Sequence, residues 1–408
     1  MNKSDFPIFK NNPGLVYLDN GASSQKPKYV IDGVNNFVSN DYANIHRGLY
    51  SLSDRSEDFY LKSKELVAEF IGAKSNEIIY SYNATYGINL IAQSLVKSKK
   101  LSKGDIVLLG IWDHHANILP RQILAEEYGF QIKFINILEN YDIDWKDFDK
   151  KYSSKVKVVA CGQVSNVTGK IYDMKKLKKK IGNLPADRHG QNTFFLIDGS
   201  QSVPNMSINV KDIGCDCLVW TGHKMMAYTG IGIVYLKNER IKLLSPLISG
   251  GGAIEDVDIK GYKLPRTLEK FEAGTPNIIG AISLLKSLEY IKSIGGIKKI
   301  YEHEQKLIKY TLNKFKLLGN KIKLIGPLKS EQRVGVFSFV VKGLENFNLI
   351  GEKFAEKNIC IRCGGHCAYP LHKYLKQAGT CRMSLYFYND EKDIDKFFSV
   401  LEEITGIK

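Results

Sequence analysis

One stretch of the chain restricts the possible folds more than any other. Phe194-Phe195-Leu196-Ile197 is an apolar run that stops at Asp198-Gly199-Ser200-Gln201, and Cys217-Leu218-Val219-Trp220 stops at Thr221-Gly222-His223-Lys224. Apolar runs this short, without alternation, read as strands buried on both faces of a parallel sheet. The polar residues that end them then lie at the sheet edge where open α/β sheets bind ligands. Two neighbouring runs therefore deliver an acid and a lysine to one edge.

The same pattern recurs at Ile78-Ile79-Tyr80-Ser81 and over 105–109, 131–137, 156–161 and 231–236. Between these runs lie helical patterns, among them 56–72, with Phe59, Leu66, Val67 and Phe70 on one face, and the segment through Ile88, Leu90, Ile91 and Leu95. Strands alternating with helices predict an α/β domain with a mainly parallel sheet and helices on both faces. A chain of 408 residues exceeds what one core usually holds. The pattern changes at Gly295-Gly296, so the sequence predicts a large domain over 21–294 and a smaller C-terminal domain over 295–408. That second part has a helix through Ile308, Leu312 and Phe315 that stops at Gly319, strands at 336–341 and 359–362, and a final helix with Ile394, Phe397, Phe398 and Leu401. It reads as α+β with a small antiparallel sheet. Residues 1–20 form an N-terminal segment expected to pack with it.

An acid and a lysine at a sheet edge suit pyridoxal phosphate. That cofactor needs a lysine to hold its aldehyde and a carboxylate to keep its pyridine nitrogen protonated. The plain alternative is a buried, ion-paired lysine. Four further segments bear on the choice. Tyr82-Asn83-Ala84-Thr85 opens a helix after a strand, where free N–H groups and the Thr85 hydroxyl favour a phosphate. His114, in Asp113-His114-His115, ends another strand, where an imidazole can lie against an aromatic ring or shuttle a proton. Asn44-Ile45-His46-Arg47-Gly48 is either a substrate or subunit contact or an ordinary surface cluster.

The fourth segment is Cys360-Ile361-Arg362-Cys363-Gly364-Gly365-His366-Cys367-Ala368. Cys360, Cys363, His366 and Cys367 could ligate a metal, although no second Cys/His pair stands at zinc-ribbon spacing. A structural reading suits Cys161, Cys215, Cys217 and Cys360 as small buried hydrophobes. Cys367, in a Gly-rich loop beside His366, fits better as a nucleophilic thiol on a mobile loop.

The formal net charge of +15 raises nucleic-acid binding, but the charge is mostly Lys spread over helical faces, with no Arg-rich or aromatic-interleaved stripe. A Lys-rich surface set by nucleotide bias, or suited to an acidic partner, is the better reading. Seven cysteines, an odd number, oppose a secreted disulfide framework. With no membrane-length apolar run and no signal-peptide core at the N-terminus, the expected compartment is the cytoplasm.

Taken together, the chain resembles the SUF-type cysteine desulfurases of the class V aminotransferase family. The likeness is carried by Tyr17-Leu18-Asp19, Asn44 to Gly48, His114-His115-Ala116-Asn117-Ile118, Val164-Ser165-Asn166-Val167, Asp198-Gly199-Ser200-Gln201, Gly222-His223-Lys224, the 271–277 segment, the 362–368 segment and Cys381-Arg382-Met383-Ser384-Leu385. The resemblance implies a fold-type-I pyridoxal phosphate homodimer, with L-cysteine as substrate, alanine as product and the sulfur passed to an acceptor protein for iron–sulfur cluster assembly. It assigns Lys224 to the aldehyde and the Cα proton, His114 to stacking on the ring, Asp198 to the pyridine nitrogen and Gln201 to the ring hydroxyl. Ala84, Thr85, Thr221 and His223 hold the phosphate, joined by Thr275 from the partner subunit. Arg382 and Asn166 bind the substrate carboxylate, Arg362 shapes the loop, and Cys367 takes the sulfur as a persulfide. No metal is implied. A selenocysteine lyase or cysteine sulfinate desulfinase of the same family is the rival enzyme, and a metal- or nucleic-acid-binding protein on this scaffold is the rival of another class. The chain departs from the family pattern at Ala84 and Tyr86, at Ala227-Tyr228 where the family has Gly-Pro, and at Gly365 where it has His. Asn83 stands where a left-handed turn residue is expected.

Overall fold

The computed structural model describes residues 3–182, 193–344 and 346–406. A two-residue strand, β1 (Val16–Tyr17), precedes a seven-stranded sheet. Its strands are β2 (Ile78–Ser81), β3 (Ile106–Gly110), β4 (Gln131–Ile135), β5 (Val156–Gly162), β6 (Phe194–Asp198), β7 (Cys217–Thr221) and β8 (Gly232–Leu236). The spatial order is β2-β8-β7-β6-β5-β3-β4. Only β8 runs against its neighbours, so the other six strands share a direction and their carboxyl ends emerge on one edge.

The apolar runs are explained by burial on both faces. Side chains alternate along a strand, and β6 sorts accordingly. Phe195 and Ile197 join the core of one face with Met174 and Leu177, while Phe194 and Leu196 join the other with Ile88, Ile91 and Leu95. Each fully buried side chain of this size contributes about 1.5–3 kcal/mol. Both faces together hold the sheet edge in place.

A short hairpin, β9 (Asp256–Val257) and β10 (Tyr262–Lys263), leads to the Ile278–Ser293 helix. Gly295, at φ +103°, then turns the chain into the Gly296–Leu317 helix. Beyond it lie β11 (Ile322–Ile325), β12 (Val336–Val341), β13 (Ile359–Cys360), β14 (Arg362–Gly364) and β15 (Thr380–Ser384). An antiparallel sheet of order β11-β12-β15-β14 packs with the last helix, Glu391–Thr405, through Phe337, Phe339, Phe397 and Phe398.

Two expectations need correction. The single strand expected over 359–362 is two, because Ile359–Cys360 pairs in parallel with β1 while Arg362–Gly364 pairs with β15. One straight strand could not serve both partners. The helix expected from residue 56 begins at Ser51. Its first turn has little apolar pattern, and is held instead by Ser53 and Ser56 hydroxyls that donate to the Asn44 and Ala43 carbonyls. At the N-terminus, Phe6 is fully buried against Tyr290, Phe387 and Tyr388, and Lys3 pairs with Asp393 at 2.6 Å.

Candidate active site

The carboxyl ends of the sheet and the loops of the C-terminal part enclose a cleft of about 310 Å³. Asp198, Gln201, Thr221, His223, Lys224, Ala84, Thr85, His114, Asn166, Arg362, Arg382 and Cys367 all border it. Thr275 does not, and it is exposed. His46 and Arg47 are also exposed and lie outside it, His46 Nδ1 being 3.0 Å from Glu57. The cleft brings together residues from both ends of the chain.

Lys224 follows β7 on a single 3-10 turn, Gly222–Met225. Three contacts clamp that turn. The Ser24 N–H donates to the His223 carbonyl at 3.1 Å, the Met226 N–H donates to Ser24 Oγ at 2.8 Å, and Ser287 Oγ donates to the Met225 carbonyl. Burial pushes the Lys224 ammonium from 10.5 down to about 8, helped by Arg382 and Arg362 and opposed by Asp198. Desolvation disfavours the charged amine, so a nucleophilic neutral fraction exists near neutral pH.

Asp198 ends β6, with its Oδ1 accepting from the Ser200 N–H at 2.9 Å. His114 caps the His115–Tyr128 helix, its Nδ1 accepting from the Ala116 N–H at 3.1 Å. Burial, then Lys224, lowers its pKa to about 4, so the ring is neutral with its proton on Nε2. Beneath it, the buried Asp113 carboxylate accepts from Gly110 N–H (2.9 Å), Asn117 Nδ2 (2.8 Å) and Gly162 N–H (2.7 Å). Burial raises its pKa to about 7 against those three donors. Asp113 ties the ends of β3 and β5 to the helix that carries His114.

One end of the cleft fits a phosphate. The Ala84–Lys97 helix points its first N–H groups there, and Asn83 Oδ1 takes only that of Tyr86, at 2.8 Å. Thr221 Oγ1 and His223 Nδ1 are buried without a hydrogen-bond partner among the described residues. Burial, then Lys224, lowers the His223 pKa to about 4. Buried polar atoms left unpaired are costly, and a phosphate with its acceptor oxygens would satisfy both side chains. The expected left-handed conformation at Asn83 is corrected. Its φ of −169° and ψ of 176° are extended, because Asn83 is the helix cap and its backbone lies against Gly232, where a Cβ would come within 2.4 Å.

At the other end, the buried Arg382 donates from NH2 to Asp19 Oδ1 at 3.0 Å and from NH1 to the Asn166 carbonyl at 3.1 Å, leaving its Nε unpaired among the described residues. A Cβ on Gly21 would lie 3.3 Å from this guanidinium. Asn166 Nδ2 in turn donates to the His366 carbonyl at 2.7 Å, and the His115 N–H donates to the Cys367 carbonyl at 2.7 Å. His366 and Cys367 both hold positive φ, at +48° and +55°. Two consecutive non-glycine residues in that region store strain, and here the loop presents an exposed Cys367 thiol at the rim.

Two of the four side chains that could have ligated a metal are engaged with other partners. Cys363 Sγ lies 3.1 Å from Cys381 Sγ, and His366 Nε2 lies 2.9 Å from Thr380 Oγ1. Among the described residues, no three His, Cys, Asp or Glu side chains cluster as a metal site. Two departures from the family pattern have local reasons. The Tyr228 N–H donates to Ser283 Oγ at 3.0 Å, which a proline could not do, and a Cβ on Gly365 would sit 2.1 Å from the Tyr369 ring. Asp19 and Asp113 are the site residues that sequence reasoning left without a role. Asp113 had a local signal, an acid beside a histidine at a strand end. Asp19 had none, since its partner Arg382 is 363 residues away.

The Aminotransferase class-V family model matches residues 16–397. A probable cysteine desulfurase of Pyrococcus abyssi is 37% identical over 404 residues, covering 99% of this chain and 96% of that protein. Among solved structures, an apo cysteine desulfurase from Thermococcus onnurineus superposes with a TM-score of 0.91 at 36% identity, covering 99% of this chain and 97% of that one. The S-sulfonic acid form of an Escherichia coli cysteine desulfurase gives 0.88 at 26% identity, covering 99% and 98%.

Proposed function

Since the chain belongs to the class-V aminotransferase family, we propose that its cleft binds pyridoxal phosphate and that the protein is a cysteine desulfurase, converting L-cysteine to L-alanine with the sulfur held on Cys367. The observation that carries this reading is the convergence on one cleft of Lys224, Asp198, Arg382 and an exposed thiol. When bound, the cofactor supplies an electron sink for the substrate's Cα. The chain supplies the rest. Thr85, Thr221, His223 and the helix N–H groups at Ala84 hold the phosphate, Asp198 and Gln201 the pyridine nitrogen and ring hydroxyl, and neutral His114 packs on the ring.

Lys224, with its lowered pKa, would hold the cofactor's aldehyde, and its Nζ would move the substrate Cα proton. Arg382 receives the substrate carboxylate through its free Nε, while Asp19 and the Asn166 carbonyl fix the guanidinium plane. The Cys367 thiolate attacks the substrate sulfur. A new S–S bond forms, the substrate's Cβ–S bond breaks, and cysteine plus thiol become alanine plus persulfide. Arg362, exposed at the rim, steadies the loop.

Thr275 lies outside its own cleft, so it would serve the cleft of a second copy. Leu49 and Ile259 stand fully in solvent, apolar surface of the kind a homodimer would cover. The Lys-rich surface suits an acidic acceptor protein of SUF-type iron–sulfur cluster assembly. Seven free cysteines suit a reducing compartment such as the cytoplasm.

The test is Cys367→Ala. It is expected to keep the visible absorbance of bound cofactor yet release no sulfide and form no alanine from L-cysteine. Undiminished alanine formation would remove Cys367 as the nucleophile, and turnover of selenocysteine or cysteine sulfinate alone would move the chain to one of its rivals.

A further inference from the structure

Strands β14 and β15 set Cys363 directly opposite Cys381, with the two Sγ atoms 3.1 Å apart. In the adjacent rung, Arg362 and Arg382 face each other, and both border the active-site cleft. Successive side chains on a strand point to opposite faces, so the two thiols lie on the reverse side. There they sit under the Phe347–Glu356 helix, where a Cβ on Gly351 would come within 3.0 Å of Cys363 Sγ. Cys381 borders a second cleft of about 410 Å³ that includes Phe347, Lys376 and Gly379. Cys381 itself is buried, and Cys363 is the more exposed of the two.

The two sulfurs differ in character. Hydrogen bonding with Cys381 lowers the Cys363 thiol pKa, whereas Cys381 itself is held protonated. Cys363 is half-buried, unlike Cys161, Cys215 and Cys217, which are buried and have raised pKa values. A thiol of lowered pKa beside one held protonated is the arrangement from which a disulfide forms once the first is ionised.

We propose that Cys363 and Cys381 are an oxidisable dithiol that controls the strand carrying the Cys367 loop. Two S–H bonds break and one S–S bond forms. The two electrons and two protons go to hydrogen peroxide, giving two water molecules, or to a small-molecule disulfide, giving two thiols. Drawing the sulfurs from 3.1 Å to bonding distance pulls β14 against β15 one rung from Arg362 and Arg382. It also moves Gly364, whose φ of +119° begins the turn to Cys367. The oxidised form therefore desulfurates more slowly, and a dithiol reductant reverses the change.

The experiment uses the full-length, cofactor-loaded protein with Cys367→Ala, exposed to glutathione disulfide, alkylated, digested and mapped by mass spectrometry. A linked peptide joining positions 363 and 381 is expected, lost on treatment with dithiothreitol and absent from Cys363→Ser and Cys363→Ala. Mixed disulfides or sulfinic acid at Cys363 without that link overturn the proposal. Mapping does not require the protein to consume cysteine, so its failure is distinct from failure of the proposed reaction. With Cys367 intact, excess L-cysteine clears small disulfides from that exposed thiol. Alanine from the first turnover of the oxidised protein is then expected to form several-fold more slowly than from protein reduced with dithiothreitol and desalted, with no such difference in Cys363→Ser. Equal turnover before and after reduction, with the link demonstrated, also overturns control by the pair.

Discussion

Lys224 provides the most direct test of the electrostatics of the cleft. Its ammonium is pushed from 10.5 to about 8, first by burial. At pH 7 a lysine with the ordinary value is neutral in roughly one molecule in 3,000, and one at 8 in about one in ten, a gain of ~300-fold that corresponds to about 3 kcal/mol at 1.36 kcal/mol per unit. Only the neutral amine attacks an aldehyde. Cofactor-free protein mixed with pyridoxal phosphate at pH 6 to 10.5, followed by the growth of visible absorbance, should therefore react about tenfold faster per pH unit up to about 8 and level off above it. Arg382→Gln removes a neighbouring cation that helps depress Lys224, so the break should move upward in that variant. A rate that climbs unbroken to pH 10 would refute the argument that the cleft desolvates Lys224.

Asp113→Asn places an NH₂ group against donors, whichever way the amide is turned, and leaves at least one of Gly110 N–H, Asn117 Nδ2 and Gly162 N–H unpaired. Urea unfolding should show a loss of about 1–3 kcal/mol. The carboxyl has a raised folded-state pKa of about 7, so its contribution to stability is full below the unfolded value near 3.8 and is lost as pH rises through 7. The stability gap between wild type and variant should therefore narrow from pH 5 to pH 8. Gly365→Ala forces a Cβ to within 2.1 Å of the Tyr369 ring. It should slow alanine formation by displacing the loop, and Tyr369→Ala in the same chain should restore much of the rate.

The large sheet was readable because burial on both faces leaves a strong mark on composition. β6 and β7 are continuous apolar runs, and their ends name Asp198 and Lys224 directly. Element limits were less readable where packing is polar. The first turn of the Ser51–Ile71 helix rests on serine hydroxyls bonded to a distant loop, and the break at Ile361 comes from two pairing partners competing for adjacent residues. Neither leaves a periodic trace.

By itself, then, the sequence determined the class of fold and the chemistry available at its edge, since hydrophobic period and strand-end polarity are local properties. Only the tertiary structure decided how that chemistry is held. It set Asp19 on Arg382, hung the Cys367 loop from Asn166 and His115, left Thr221 and His223 with unpaired atoms facing one space, and brought Cys363 against Cys381. The first two join residues far apart along the chain, and the last depends on strand register. Register and long-range approach are fixed by packing, and packing is a property of the whole core.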